Sequence, residues 1–142
     1  MEPACLGVIL DSSIVIEAER RQLNVAQFLT EITHKIGETE AAICAIAVAE
    51  LAHGIHRADT PERRKRRRVF LDELKVAIPI YPITERTAEL VGKIGAEASA
   101  AGATIPFDDL LIEACALERG YSVATRNIRH FKEIPGLKLI AL

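Results

Sequence analysis

The sequence predicts an α/β protein: a three-layer α/β/α fold around a mainly parallel central sheet of about five strands. Three observations predict it. Short runs rich in Val, Ile and Ala alternate with longer segments whose apolar residues recur at helical spacing. Those longer segments are long enough to cross over between parallel strands. Hydrophobic residues make up 49% of the chain but aromatic residues only 4%, with no Trp, so aliphatic side chains must fill the core. That composition suits helices laid on both faces of a buried parallel sheet. The 142 residues match the usual size of one domain, and residues 1–142 are expected to form it.

The first element is the apolar run Leu6 to Leu10, read as a buried strand. It ends at Asp11-Ser12-Ser13, residues that favour the start of a helix. Helices are expected over residues 12–21 and 24–36. In the second, Val25, Phe28, Leu29, Ile32 and Ile36 fall on one face, and Gly37 is the stop. Ala41 to Ala45 is the second strand, followed by a helix through Glu50 to about Ala58. Thr60-Pro61-Glu62 joins a capping Thr, a first-turn Pro and an acid, and opens a helix ending near Val76. Ile78 to Tyr81, flanked by Pro79 and Pro82, reads as a short edge strand or extended link. A helix over 84–101 closes at Gly102, and Thr104-Ile105-Pro106 precedes another from Phe107 to Glu118, stopped by Gly120. Tyr121 to Thr125 is a strand, 127–132 a short helix, and Leu137 to Ile140 the last strand.

The formal net charge of −2 gives no overall attraction to nucleic acid, so phosphate binding would need a local basic patch or a bound cation. Cys5, Cys44 and Cys115 sit in apolar stretches without C-x-x-C spacing, and are read as buried small hydrophobes. No signal-peptide pattern opens the chain, and no run of about 18 uncharged apolar residues would span a membrane. A reducing cytoplasm is the expected location.

In an open parallel sheet, ligands bind outside the carboxyl ends of the strands. Asp11 directly follows the first strand, and Glu50 lies in the first turns of the helix after the second. Asp109 opens the helix after Pro106, and Thr125, Arg126 and Asn127 close the strand from Tyr121. Four chain segments thus bring acids or their polar equivalents to one rim. Each acid also has a plain structural reading: Asp11 as a helix cap, Glu50 as a solvated helix position, Asp108 and Asp109 as first-turn acids favoured by the helix dipole. Grouped acids repel one another unless a cation compensates them. Oxygen-only ligands select Mg²⁺ or Mn²⁺ over zinc. Such an ion activates water and offsets charge on a phosphodiester, so phosphodiester hydrolysis is the reaction that best fits.

At these residues the chain resembles the PIN-domain family, and within it the VapC-type ribonuclease toxins of toxin–antitoxin pairs. The matching segments are Val8-Ile9-Leu10-Asp11-Ser12-Ser13, then Ala49-Glu50-Leu51 with Gly54, then Ile105-Pro106-Phe107-Asp108-Asp109-Leu110-Leu111-Ile112. Val123-Ala124-Thr125-Arg126-Asn127 follows, with His130-Phe131 and Pro135-Gly136-Leu137. They run in the family's order over nearly the whole chain. The resemblance implies a Mg²⁺-dependent (alternatively Mn²⁺-dependent) endoribonuclease, a homodimer, and a heteromeric complex with a VapB-type antitoxin that neutralises it. It puts the catalytic, metal-binding acids at Asp11, Glu50 and Asp109, with Asp108 as the alternative to Asp109. A fourth acid of the family falls at Asn127, an amide that brings no charge. Glu113, one helical turn beyond Asp109, is a candidate for the missing charge. Thr125 and Ser13 are placed to hold a metal-bound water or a carboxylate.

Arg63-Arg64-Lys65-Arg66-Arg67-Arg68 is a run of six cations on a helix. Arg63, Arg64 and Arg67, with Arg126, are candidate RNA-phosphate contacts, against the plain reading of a solvated helix surface. Glu50 and His53 have Glu-x-x-His spacing, but only one such pair occurs, and a rim histidine is the simpler reading. A receiver domain would need paired acids at the first strand, and a phosphoaspartate phosphatase would need a second Asp where Ser13 stands. The alternative function is a catalytically weak or silent PIN-like module that binds RNA or a protein partner.

Overall fold

The computed structural model describes residues 6–131 and 137–142. Cys5 and the Pro135-Gly136 pair lie outside the described residues, as does the end of the short helix expected over 127–132. Strand β1 (Gly7–Leu10) leads into α1 (Ser12–Arg20) and α2 (Val25–Ile36). Strand β2 (Glu40–Cys44) runs into α3 (Ala45–His56), then α4 (Pro61–Ala77) and the two-residue β3 (Ile80–Tyr81). Helices α5 (Glu85–Ala100) and α6 (Phe107–Arg119) precede β4 (Ser122–Thr125), a 3₁₀ turn (Ile128–His130) and β5 (Leu139–Ala141). Among the described residues these form one five-stranded sheet in the order β3-β2-β1-β4-β5, with every pairing parallel.

The helix ends follow from their sequences. Thr60 Oγ1 accepts from the Arg63 backbone N–H at 3.1 Å, and Pro61 fills the first turn of α4. Asn24 and Gln27 cap α2 reciprocally, each side chain accepting from the other's backbone N–H. Helix α6 stops at Gly120, whose φ of 67° and ψ of 27° lie in the left-handed region that favours glycine. The expectation that Ala45 closes β2 is corrected by one residue: α3 begins there without an intervening loop, because Cys44 serves as its N-cap in extended conformation.

β1 lies centrally and is buried along its whole length. Its side chains alternate between the two faces. Val8 and Leu10 join a core with Ile14 and Val15 of α1, Phe28 and Ile32 of α2, and Phe70 and Leu74 of α4. Ile9 joins the opposite core, with Ala42, Cys44 and Val123 against Ile112, Cys115 and Ala116 of α6. Helix α5 packs outside α6 through Val91 and Ile94 against Leu110, Leu111 and Ala114. Cys44 and Cys115 are free, buried thiols inside that second core. Among the described residues no helix is long and apolar enough to cross a membrane.

This strand order fixes where a ligand can sit. The chain moves outward from β1 to β2 and β3, then crosses to the other side of β1 for β4 and β5. The crossovers therefore diverge between β1 and β4, leaving a crevice at the carboxyl ends of those two strands.

Candidate active site

Asp11 and Thr125 close the two strands that flank this crevice. Leu10 pairs with Ala124, so Asp11 and Thr125 are next in register. Asp11 keeps extended backbone (φ −67°, ψ 148°), and its N–H donates to Ala124 O at 2.9 Å. The two side chains consequently meet on the side of Ile9 and Val123, where α6 packs. Thr125 Oγ1 donates to Asp11 Oδ2 at 2.8 Å, and Ser13 Oγ donates to the same oxygen at 2.7 Å. Two backbone donors orient those hydroxyls: Asn127 N–H bonds Thr125 Oγ1 at 2.9 Å, and Arg126 N–H bonds Ser13 Oγ at 3.2 Å. Asp11 precedes α1 at the N-cap position but makes no capping bond. Its carboxylate is instead bound by the Ser13 and Thr125 hydroxyls, and the residue is 4% exposed.

Helix α3 carries Glu50 into the same region. Burial first, then the charge of Asp108 and contact with it, push the Glu50 carboxyl up to about 7; the Ser12 hydroxyl opposes this and Asp11 adds to it. Among the described residues, Glu50 Oε1 lacks a hydrogen-bond partner. Asp11 and Asp108 are therefore each within electrostatic reach of Glu50. Ser12, buried beside Glu50, was not among the sequence candidates; its polarity between Asp11 and Ser13 was the available signal.

Helix α6 supplies the other acids from its first turn. Asp109 is 7% exposed, while Asp108 is half-buried toward Glu50. One turn on, Glu113 is 0% exposed and, among the described residues, neither of its carboxyl oxygens has a hydrogen-bond partner. Burial, then the charge of Asp109, push its carboxyl up to about 8. Both aspartates thus meet an acid of the site, Asp108 with Glu50 and Asp109 with Glu113. Asn127 is exposed, and Phe107, ahead of Asp108, presents its ring to solvent.

Most of the basic run is engaged with the protein itself. Arg63 pairs with Asp59 at 3.0 Å, Arg64 donates to Ala58 O at 3.2 Å, and Arg68 pairs with Asp72 at 3.5 Å. Arg67 donates to Gly54 O at 2.7 Å and pairs with Glu19 at 3.4 Å, tying α4 to α3 and α1. Arg126 pairs with Glu17 at 2.6 Å. Beside Glu50 a cavity of about 220 Å³ opens between α1, α3 and α4, with Val15, Ile16, Leu51 and Phe70 as apolar walls and Glu19 and Arg67 also lining it.

The donor set is one of carboxylates and hydroxyls. Among the described residues no three His, Cys, Asp or Glu side chains stand close enough together to hold one metal ion. The chemistry of the set nonetheless fits a hard divalent cation. All donors are oxygen, and Glu50 and Glu113 carry buried oxygens that no group among the described residues satisfies. Mutual repulsion spreads such acids until a positive charge draws them together.

Comparison with known proteins gives concordant matches. The family model described as "PIN domain" matches residues 8–137. The chain is 29% identical over 137 residues to Ribonuclease VapC1 of Rickettsia felis, covering 96% of this chain and 97% of that protein. It is 32% identical over 142 residues to the plasmid stability protein StbB of Pseudomonas syringae pv. tomato, covering 94% and 96%. Among solved structures, VapBC2 from Rickettsia felis bound to a promoter DNA fragment superposes with a TM-score of 0.81 at 23% identity, covering 95% of this chain and 98% of that one.

Proposed function

Because this chain belongs to the PIN-domain family, we propose that it is an endoribonuclease, a VapC-type toxin that hydrolyses RNA phosphodiester bonds at the crevice between β1 and β4. The observation that carries this reading is the anchored carboxylate of Asp11, with two hydroxyls on one oxygen, acting on Glu50 of α3, which Asp108 of α6 also approaches. The curated relative from Rickettsia felis is named a ribonuclease, and it aligns over nearly the full length of both chains.

In this proposal Asp11, Glu50 and Asp109 hold a divalent ion, with Asp108 beside them. Mg²⁺ is the ion, with Mn²⁺ as the alternative, since both take oxygen donors. When bound, the ion lowers the pKa of a coordinated water and offsets negative charge on the phosphodiester. The residues of the chain do the rest. Ser13 and Thr125 fix Asp11 through Oδ2, so the carboxylate meets substrate in one orientation. Glu50, whose carboxyl is pushed up by burial and by Asp108 in the metal-free chain, would be drawn to its carboxylate form as a ligand of the ion. Arg63 and Arg126, with side chains 53% and 44% exposed, are suited to reach RNA phosphates; Arg67 instead holds the helices together.

The proposal includes a VapB-type antitoxin as partner and a homodimer as the toxin's own state. A partner segment entering the apolar cavity beside Glu50 would lie against the acids and block RNA. The test is cleavage of single-stranded RNA by the purified chain, with Mg²⁺ or Mn²⁺ and with chelator, alone and with the antitoxin. Cleavage that needs the ion and stops with the partner is expected; cleavage unaffected by chelator overturns the mechanism.

A further inference from the structure

The packing of α6 gives no reason for Glu113. It lies within an unbroken buried run from Asp109 to Ala116, between α5 on one side and the sheet on the other. Every neighbour in that run beyond Asp109 is apolar. Asp11, another deeply buried acid, is satisfied by two hydroxyls, whereas among the described residues neither oxygen of Glu113 has a hydrogen-bond partner. Buried carboxyls are ordinarily paired, and an apolar residue of similar length would pack here without the cost of desolvation. The charged group that acts on Glu113 is Asp109, one helical turn earlier on the same face. A like charge makes an unpaired carboxyl less favourable still. What would relieve both groups together is a cation.

We propose that Glu113 is a carboxylate ligand of the divalent cation held at Asp109, forming the inner wall of the metal site. This rests on the reading of the crevice as a metal-dependent nuclease site, and deepens it. Thr125 and Asn127 bring no charge to the rim, so Glu113 adds to the anionic donors Asp11, Glu50, Asp108 and Asp109 a fifth from within the core. Its position sets a division of labour. Asp108, half-buried, remains available to Glu50 and substrate, while Asp109 and Glu113 bind the ion from the same helix.

Two effects of opposite sign follow when the carboxylate is removed. The metal-free protein loses an unsatisfied buried group, and the metal-bound protein loses a ligand. The experiment measures Mn²⁺ affinity by calorimetry and the melting temperature in EDTA at pH 8 for the parent chain, Glu113→Gln, Glu113→Met and Glu113→Asp. The expected result is a melting temperature in EDTA equal to or above the parent's for Glu113→Met. Mn²⁺ affinity falls about tenfold or more in the Gln and Met variants and is partly restored in Glu113→Asp. Parent-like Mn²⁺ affinity in both the Gln and Met variants overturns the assignment. So does a loss of affinity in which Glu113→Asp behaves like Glu113→Met, since that is the mark of a packing role. Failure of the underlying reading looks different: the parent itself does not bind Mn²⁺, or binds it equally well as Asp11→Asn and Asp109→Asn.

Discussion

Thr125 Oγ1 donates a 2.8 Å hydrogen bond to Asp11 Oδ2, joining the ends of β4 and β1 across the point where the chain's crossovers diverge. Both groups are buried, so this bond orients a carboxylate away from bulk water. Thr125→Val keeps the shape and removes the donor. It is expected to destabilise the fold by about 1.5–3 kcal/mol, the range for a hydrogen bond to a charged group. Urea unfolding measures it, with Thr125→Ser expected to retain most of the stability. Equal stability of the parent and Thr125→Val would mean that Ser13 alone holds Asp11.

The two raised carboxyls give a pH dependence of defined sign. Glu50 at about 7 and Glu113 at about 8 bind protons in the folded, metal-free chain at pH values where the unfolded chain has released them. Where the folded state holds more protons, stability falls as pH rises. The melting temperature in EDTA is therefore expected to decline between about pH 5 and pH 8. Glu31, lowered by Arg21, and Glu40, lowered by Tyr81 and Tyr121, act below that window, where stability is lost as pH falls. A metal-free melting temperature that rises steadily from pH 5 to pH 8 would contradict the burial of Glu50 and Glu113.

The arginines of α4 are expected to separate by role. Arg67 donates to Gly54 O and pairs with Glu19, so Arg67→Ala is expected to cost about 1–2 kcal/mol in stability. Arg63, held only by the exposed Asp59, is expected to matter little for stability. If it meets an RNA phosphate, Arg63→Ala reduces the slope of log affinity against log salt by about 0.7. Fluorescence anisotropy with a single-stranded RNA across a salt series measures this. An unchanged slope removes Arg63 from the RNA interface.

Much of this architecture was legible because local chemistry and packing agree. Thr60-Pro61, the alternation in β1 and the stop at Gly120 each act within a few residues, and each sets an element boundary to within a residue or two. Legible too was the approach of Asp11 and an aspartate of α6 to Glu50, since parallel strands direct their carboxyl ends alike. The choice between Asp108 and Asp109 was not. The i,i+4 spacing puts Glu113 on the face of Asp109, but it cannot say that Asp108 is the aspartate that approaches Glu50, because that depends on the rotation of α6 against the sheet. The α4 cations show the same limit. Six consecutive basic residues read as a patch, but Glu19, Asp59, Asp72 and two backbone carbonyls engage most of them. Asp59 and Asp72 stand four residues from Arg63 and Arg68 and are local partners, but no local pattern joins Glu19 of α1 or Gly54 O near the end of α3 to α4.

The acids themselves give the most direct test. The purified, antitoxin-free chain is assayed for cleavage of single-stranded RNA with Mg²⁺ beside Asp11→Asn, Glu50→Gln and Asp109→Asn, after circular dichroism shows each variant folded. Loss of a metal-binding carboxylate removes several kcal/mol of charge stabilisation, so each is expected to slow cleavage by about a hundredfold or more. Cleavage at the parent rate by folded Asp11→Asn and Asp109→Asn would contradict a nuclease site at the ends of β1 and α6.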